Sequence, residues 1–243
     1  MRTRIKFCGI TRLEDALAAA RLGADAVGLV FTARSPRHLS IEAARAIALA
    51  LPPLVTRVGL FMDNNATEVA AVLHDVPMEL LQFHGNEDAD FCRVFAKPYL
   101  KAVPMMDVGD VAGYAAWFPD AAGFVLDSHR AGAAGGSGRS FDWSRVPAGL
   151  GRPLLLAGGL VPGNVAQAIA AVRPWAVDVS SGVESAPGIK DHAKMRAFVD
   201  EVQGAGASAS SRWIHRLRRL PGRARPLRPL RRALRRRDPD GAA

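Results

Sequence analysis

The chain has 243 residues, 49% of them apolar, and a formal net charge of +9, enough apolar content for one large domain or two small ones. No run approaches the roughly 20 apolar residues of a membrane span, and the N-terminus lacks the pattern of a secretory signal. Its two cysteines, Cys8 and Cys92, fit no disulfide framework or paired metal-ligand spacing, so the composition predicts a reducing cytoplasm.

The positive charge is concentrated at the C-terminus. Residues 204–243 contain 12 Arg and 2 Asp, a balance of +10, and the remaining 203 residues have a balance of −1. We therefore expect a near-neutral globular domain over 1–203 and an Arg/Pro-rich flexible tail over 204–243. The tail has no aromatic interleaving for base stacking, which argues against sequence-specific nucleic-acid recognition. Two interpretations stay open: weak contact with polyanions or a membrane surface, or an appendage with little role in catalysis.

Short apolar runs repeat along the body of the chain, and each ends in small or polar residues. Such runs are typical of buried strands. The eight predicted strands are 4–10, 24–31, 54–61, 78–85, 98–104, 121–127, 152–159 and 175–182.

Ala- and Leu-rich stretches with helical periodicity separate these runs, and two have predicted caps. Thr11 and Glu14 have the spacing of a capping box, and Ser40 precedes the second helix. The sixth strand is followed by a Gly-rich loop with one helical turn at 143–147. The predicted helices are 12–22, 41–51, 65–74, 87–96, 108–117, 162–172 and 191–203.

Eight strand–helix units of about 25 residues predict a single (β/α)8 TIM barrel of the α/β class. An open doubly wound sheet is less suitable, because it typically has fewer strands and the first strand lacks a Gly-x-Gly-x-x-Gly turn. In a barrel, functional groups lie at the carboxyl ends of the strands.

Two reactive side chains end predicted strands. Alternation places Cys8 and Lys6 on the axial face of strand 1, and Asp127 ends strand 6 on its inward face. Cys8 is either a small buried filler or a reactive thiol, and Asp127 either braces its loop or acts chemically. Together they form a plausible acid–base pair across one bound substrate.

Small residues end the last two strands, where this fold commonly binds phosphate. Gly158 and Gly159 allow close backbone approach, and Ser180, Ser181 and Gly182 offer free N–H groups at the start of a short helix.

The other candidate residues follow strands 2, 4 and 8. Arg34, Arg37 and His38 could hold an anion, and Arg is suited to bidentate carboxylate recognition. His84 is a packed rim residue or a ligand contact, and no second ligand at metal spacing accompanies it. Asp178 points inward, to contact substrate or to be satisfied internally.

In their order, these segments resemble the phosphoribosylanthranilate isomerase family of tryptophan biosynthesis. The resemblance covers roughly residues 3–203 and rests on KFCGIT, GADAVGLVF, SPRHLS, RVGLF, QFHG, FVLDS, GGSGRSFDW, AGGLVPGNV and VDVSSGVESAPGIKDH. Many members have Leu where this chain has Phe83, a side chain expected to point outward.

The resemblance implies an Amadori rearrangement of N-(5-phosphoribosyl)anthranilate to 1-(2-carboxyphenylamino)-1-deoxyribulose 5-phosphate, without cofactor or metal. It implies that Asp127 is the general acid and Cys8 the general base. It also implies that Arg37 binds the anthranilate carboxylate and that the two late loops bind the phosphate. His84 and Asp178 are secondary substrate contacts, and the long sixth loop covers the site.

Three alternatives use the same fold and phosphate loops. The histidine-pathway aminoaldose isomerase typically has an aspartate in place of Cys8, and indole-glycerol-phosphate synthase relies on catalytic lysines. A barrel that binds a phosphorylated ligand without turnover is the non-enzymatic alternative. The pairing of Cys8 with Asp127 favours the isomerase.

Overall fold

The computed structural model describes residues 2–129, 140–147 and 150–217, with side chains as far as Ala205. Eight parallel strands hydrogen-bond in chain order, and the eighth pairs with the first to close a barrel. The predicted (β/α)8 architecture is confirmed. The strands are β1 Arg4–Cys8, β2 Ala26–Val30, β3 Thr56–Phe61, β4 Leu80–Phe83, β5 Tyr99–Pro104, β6 Gly123–Asp127, β7 Leu154–Leu156 and β8 Ala176–Val179.

Helices follow the strands at the predicted places, and a 3-10 helix at Trp143–Arg145 accounts for the predicted turn after β6. The last helix passes the predicted end at residue 203 and continues to Leu217, so residue 204 is not a break in secondary structure. Most of the Gly-rich sixth loop and residues 218–243 lie outside the described residues. The helices are α1 Leu13–Arg21, α2 Ile41–Ala50, α3 Ala66–Asp75, α4 Ala89–Arg93, α5 Val111–Ala116, α6 Pro162–Val172 and α7 His192–Leu217.

Of the two predicted helix caps, only one is correct. Ser40 accepts a hydrogen bond from the Ala43 backbone N–H, as expected. Thr11 does not cap α1: the cap position is Arg12, which makes no side-chain cap bond, and the Thr11 hydroxyl donates to the carbonyl of Gly188. That carbonyl belongs to a small antiparallel hairpin, β9 Glu184–Ala186 and β10 Ile189–Lys190, which the sequence analysis did not predict.

Strand alternation divides the side chains into two layers. Ile5 and Phe7 of β1 face the helices, and the Phe7 ring lies 6.2 Å from that of Phe198 in α7. Phe83 also points outward, as expected, into a cluster of aromatic rings. Cys8 packs inward with Val30 and Leu60. A second inner cluster fills the barrel with Leu100, Ala102, Val125, Leu155, Ala157 and Ala176.

Within the described part of the chain, no helix has the length and apolar character needed to cross a membrane.

Candidate active site

A pocket that is open to solvent lies at the carboxyl ends of the barrel strands. Ten of the residues proposed from the sequence line it, so residues far apart in the chain meet in one cavity. These are Cys8, Arg37, His84, Asp127, Gly158, Gly159, Asp178, Ser180, Ser181 and Gly182.

Cys8 occupies space left open by a glycine on the neighbouring strand. A Cβ atom at Gly28 would come within 2.8 Å of the Cys8 Sγ and 3.2 Å of the Lys6 Nζ. The Cys8 side chain is 8% exposed and faces the pocket, which places the thiol where a bound molecule can reach it.

Burial raises the pKa of the Cys8 thiol, and the positive charges of Lys6 and Lys190 oppose this rise without cancelling it. Lys6 is itself buried and forms an ion pair with Asp178, with 2.8 Å between Nζ and Oδ2. Asp178 is therefore satisfied internally through one oxygen, while it also lines the pocket. The ligand-free protein thus holds a protonated thiol beside a lysine–aspartate pair.

Asp127 lines the same pocket as Cys8, and two imidazoles lie beside one of its carboxylate oxygens. His84 Nε2 is 3.1 Å and His129 Nδ1 is 3.6 Å from Asp127 Oδ2. Burial alone raises the pKa of this carboxyl, but the contacts with His129 and His84 outweigh burial and place the pKa well below its usual range. Burial lowers the pKa of His129, so this imidazole is neutral near pH 7.

The side chain of Gln82, two positions before His84 in the chain, lies beside the His84 imidazole. Gln82 Nε2 is 3.0 Å from His84 Nδ1, and both residues are buried. The Gln82 amide can donate to Nδ1 or accept from it, so it supports either tautomer of the imidazole.

Arg37 lines the pocket, and the buried carboxylate of Glu184 holds its guanidinium in place. Its Nε and Nη2 donate to the two oxygens of Glu184, at 2.8 and 2.7 Å. Lys190 donates to the same carboxylate and to the Cys8 carbonyl, which ties the β9–β10 hairpin to the end of β1. Arg34 and His38 are exposed and do not line the pocket.

The two small-residue loops meet at one side of the cavity. Gly158 and Gly159 have φ of +79° and +65°, and a Cβ at Gly158 would collide with Ser128. A Cβ at Gly182 would come within 1.8 Å of the Leu160 carbonyl oxygen. Close packing of the loops therefore requires glycine at positions 158 and 182, and the left-handed backbone favours it at Gly159. Ser181–Val183 forms a 3-10 helix, in agreement with the short helix predicted there.

The sequence analysis missed four residues of the site: Gln82, His129, Glu184 and Lys190. Gln82 and His129 each lie two positions from a residue that was identified, so strand alternation could have indicated them. Glu184 meets Arg37 across 147 positions through an unpredicted hairpin, and no local pattern indicated this pair.

Comparison with known proteins identifies relatives along most of the chain. The family model described as N-(5'-phosphoribosyl)anthranilate (PRA) isomerase matches residues 5–201. The N-(5'-phosphoribosyl)anthranilate isomerase of Pseudomonas paraeruginosa is 58% identical over 203 residues, which cover 84% of this chain and 96% of the relative.

Two solved structures have the same fold. The Thermus thermophilus phosphoribosyl anthranilate isomerase has a TM-score of 0.76 at 38% identity, covering 83% of this chain and 99% of that one. A phosphoribosyl anthranilate isomerase in complex with reduced 1-(o-carboxyphenylamino)-1-deoxyribulose 5-phosphate has a TM-score of 0.69 at 39% identity, with the same two coverages. The chain belongs to the N-(5'-phosphoribosyl)anthranilate isomerase family.

Proposed function

We propose that this chain catalyses the Amadori rearrangement of N-(5-phosphoribosyl)anthranilate, an aminoaldose, to 1-(2-carboxyphenylamino)-1-deoxyribulose 5-phosphate, an aminoketose. The observation that carries the proposal is the convergence of Cys8 and Asp127, from β1 and β6, on one pocket with Arg37 and two glycine-rich loops. A thiol, a carboxyl and two anion-binding regions match a substrate that has a carboxylate, a phosphate and an acid-labile sugar ring.

In the first step, the Asp127 carboxyl donates a proton to the furanose ring oxygen. The C–O bond breaks, and the lone pair of the amine nitrogen forms the C=N bond of a protonated Schiff base. Because the histidines favour the ionised carboxylate in the ligand-free protein, Asp127 must gain this proton when substrate binds. The negative charges of the substrate and the exclusion of water both favour protonation.

In the second step, the Cys8 thiolate removes the proton from C2' of the Schiff base. The electron pair of the C–H bond forms the C1'=C2' bond of an enolamine, and the π pair of the C=N bond returns to nitrogen and cancels its positive charge. The enolamine tautomerises to the ketone when C1' gains a proton and the C2' hydroxyl loses one. The thiolate is the minor form in the ligand-free protein, so the nearby charges of Lys6 and Lys190 are needed to make it accessible. Both steps are proton transfers and need no cofactor.

The ends of the substrate are assigned by charge and shape. Arg37 is oriented by Glu184 and binds the anthranilate carboxylate. The phosphate lies against the backbone of Gly158–Gly159 and Ser180–Gly182, where no Cβ obstructs approach at the glycines. His84 and Asp178 contact the sugar between them. This arrangement places the reacting carbons between Cys8 and Asp127.

We also propose a cytoplasmic location, since Cys8 and Cys92 are free thiols, as is usual in a reducing compartment.

For residues 204–243 we propose no part in catalysis and only weak, salt-sensitive contact with polyanions or an anionic membrane surface. The arginine-rich composition supports this, as does the match of 203 residues to 96% of the Pseudomonas relative, which leaves the tail without a counterpart there.

Removal of either proton-transfer group is expected to lower kcat by about 10²–10⁴-fold. Cys8→Ser replaces the base with a much weaker one, and Asp127→Asn removes the acid. The controls are Cys92→Ala and Asp120→Asn, because Cys92 does not line the pocket and Asp120 is an exposed partner of Arg93. Steady-state kinetics with phosphoribosylanthranilate measure the effect. A kcat near that of the unchanged protein would remove the residue from its role.

The raised pKa of Cys8 predicts how the ligand-free thiol reacts. Below that pKa the thiolate fraction, and hence the rate of alkylation by iodoacetamide, rises about tenfold for each pH unit. Cys92 is fully buried and has a pKa of about 12, so it serves as an internal control that reacts far more slowly. Mass mapping of the alkylated cysteines between pH 7 and 8.5 follows both sites. A Cys8 rate that levels off in this range contradicts a raised pKa.

Loss of the Arg37 guanidinium is expected to act on binding. Arg37→Ala removes a charged hydrogen-bond donor worth about 1.5–3 kcal/mol, so KM rises about 10–100-fold while kcat changes little. Arg34→Ala, on the same loop but exposed and outside the pocket, is the matched control. Equal KM values for Arg37→Ala and the unchanged protein would overturn the carboxylate assignment.

Truncation after Leu217 removes residues 218–243, which hold 10 of the 12 Arg of the tail, and retains α7. We expect kcat/KM to be unchanged, and salt-sensitive retention on heparin or on phosphatidylglycerol vesicles to be strongly reduced. A fall in kcat/KM would show that residues 218–243 contribute to the reaction, and retention equal to that of the full chain would exclude them as the contact region.

A further inference from the structure

Three ligand atoms meet beside the pocket in an arrangement that a single metal ion can bridge. They come from His84, Asp127 and His129, and all lie within 4.8 Å of one another. The three side chains are buried, at 6%, 5% and 4% exposure. His84 follows β4, and the other two residues lie at and just after the end of β6, so the barrel itself holds them in place.

Two of the three distances between these atoms are close to those between metal ligands. Zn–N and Zn–O bonds of about 2.0–2.2 Å at tetrahedral angles place neighbouring ligand atoms about 3.3–3.5 Å apart. The observed distances from Asp127 Oδ2 to His84 Nε2 and His129 Nδ1, 3.1 and 3.6 Å, lie on either side of this range. The centroids of the two imidazole rings lie 4.3 Å apart, and the ring planes are at an angle of 34°.

Well-formed hydrogen bonds do not satisfy all of these atoms. Among the described residues, His84 Nε2, His129 Nδ1 and Asp127 Oδ1 are buried without a hydrogen-bond partner of normal geometry. The distance from His129 Nδ1 to Asp127 Oδ2, 3.6 Å, is too long for a hydrogen bond. Buried polar atoms are normally satisfied, and here the two histidine nitrogens that would bind an ion are not.

Gln82 can support the tautomer that metal binding requires. A metal on His84 Nε2 leaves the imidazole proton on Nδ1, which then needs an acceptor. The Gln82 Oε1 is buried and has no partner among the described residues, while its Nε2 faces Nδ1. Rotation of the amide by half a turn presents Oε1 to Nδ1–H and adds no net charge.

We propose that His84, Asp127 and His129 form a binding site for a divalent transition-metal ion, with Zn²⁺ the best match to two imidazoles and one carboxylate. Because Asp127 and His84 line the substrate pocket, the fourth position of the ion faces that pocket. A bound ion occupies the carboxylate that the rearrangement needs as its acid. Metal binding and turnover therefore exclude each other, and Zn²⁺ is a reversible inhibitor.

The test uses Co²⁺ as a spectroscopic probe on the full chain after removal of metals with a chelator. We expect the intense visible absorption of four-coordinate Co²⁺ at one equivalent, and its loss when Zn²⁺ is added. His129→Phe keeps a ring beside His84 but removes one ligand, and should weaken Co²⁺ binding at least about tenfold. His74→Phe is the matched control, because His74 is exposed on α3; this variant should bind Co²⁺ as the unchanged protein does.

Two further variants separate this site from its neighbours. Asp127→Asn should also abolish the visible absorption of bound Co²⁺. This variant tests the site independently if His129→Phe fails to fold. Cys8→Ala should retain it, since the thiol of the same pocket is the rival ligand. Weak absorption typical of six-coordinate Co²⁺ in the unchanged protein, or a spectrum that depends on Cys8 and not on His129, overturns the proposal.

Discussion

In a closed barrel of parallel strands, every second side chain must point towards the axis, and the functional groups of this protein depend on that constraint. It turns Cys8 inward from β1, Asp127 from β6 and Asp178 from β8, while Phe7 and Leu126 pack outward against the helices. A shift of one residue in any strand would exchange the two sets. The pocket is therefore specified by the same pattern that specifies the core.

Charges turned inward must be paired, and the pairing determines the chemistry of the site. Lys6 neutralises Asp178 at 2.8 Å, and Glu184 receives both Arg37 and Lys190. Among the described residues, the charged or titratable groups in contact with Asp127 are two histidines, which keep it ionised, whereas burial keeps Cys8 protonated. Cys8 is therefore protonated and Asp127 ionised, whereas the proposed reaction uses a protonated Asp127 and a Cys8 thiolate. In our account, substrate binding shifts both groups to the protonation states that the reaction needs.

Local patterns were sufficient for the strands, their inward faces and the Ser40 cap, because these depend on periodicity and on one neighbouring turn. They were insufficient where a residue's partner is distant in the chain. Thr11 was assigned to a cap, but the Gly188 carbonyl, brought near by an unpredicted hairpin, takes its hydroxyl. The sequence has no second ligand at metal spacing near His84, and Asp127 and His129 come within reach of it only in the folded barrel. The division at residue 204 stays a prediction, although α7 crosses it.

The central claim is that Cys8 and Asp127 act on one substrate held between Arg37 and the two glycine-rich loops. A crystal structure of this protein with reduced 1-(o-carboxyphenylamino)-1-deoxyribulose 5-phosphate tests it most directly. We predict the phosphate at Gly158–Gly159 and Ser180–Gly182, and the carboxylate at Arg37. The Cys8 Sγ and the Asp127 carboxyl should each lie about 3–3.5 Å from the ribulose chain. A ligand bound in the reverse direction, or with Cys8 out of reach of the sugar carbons, would contradict the account.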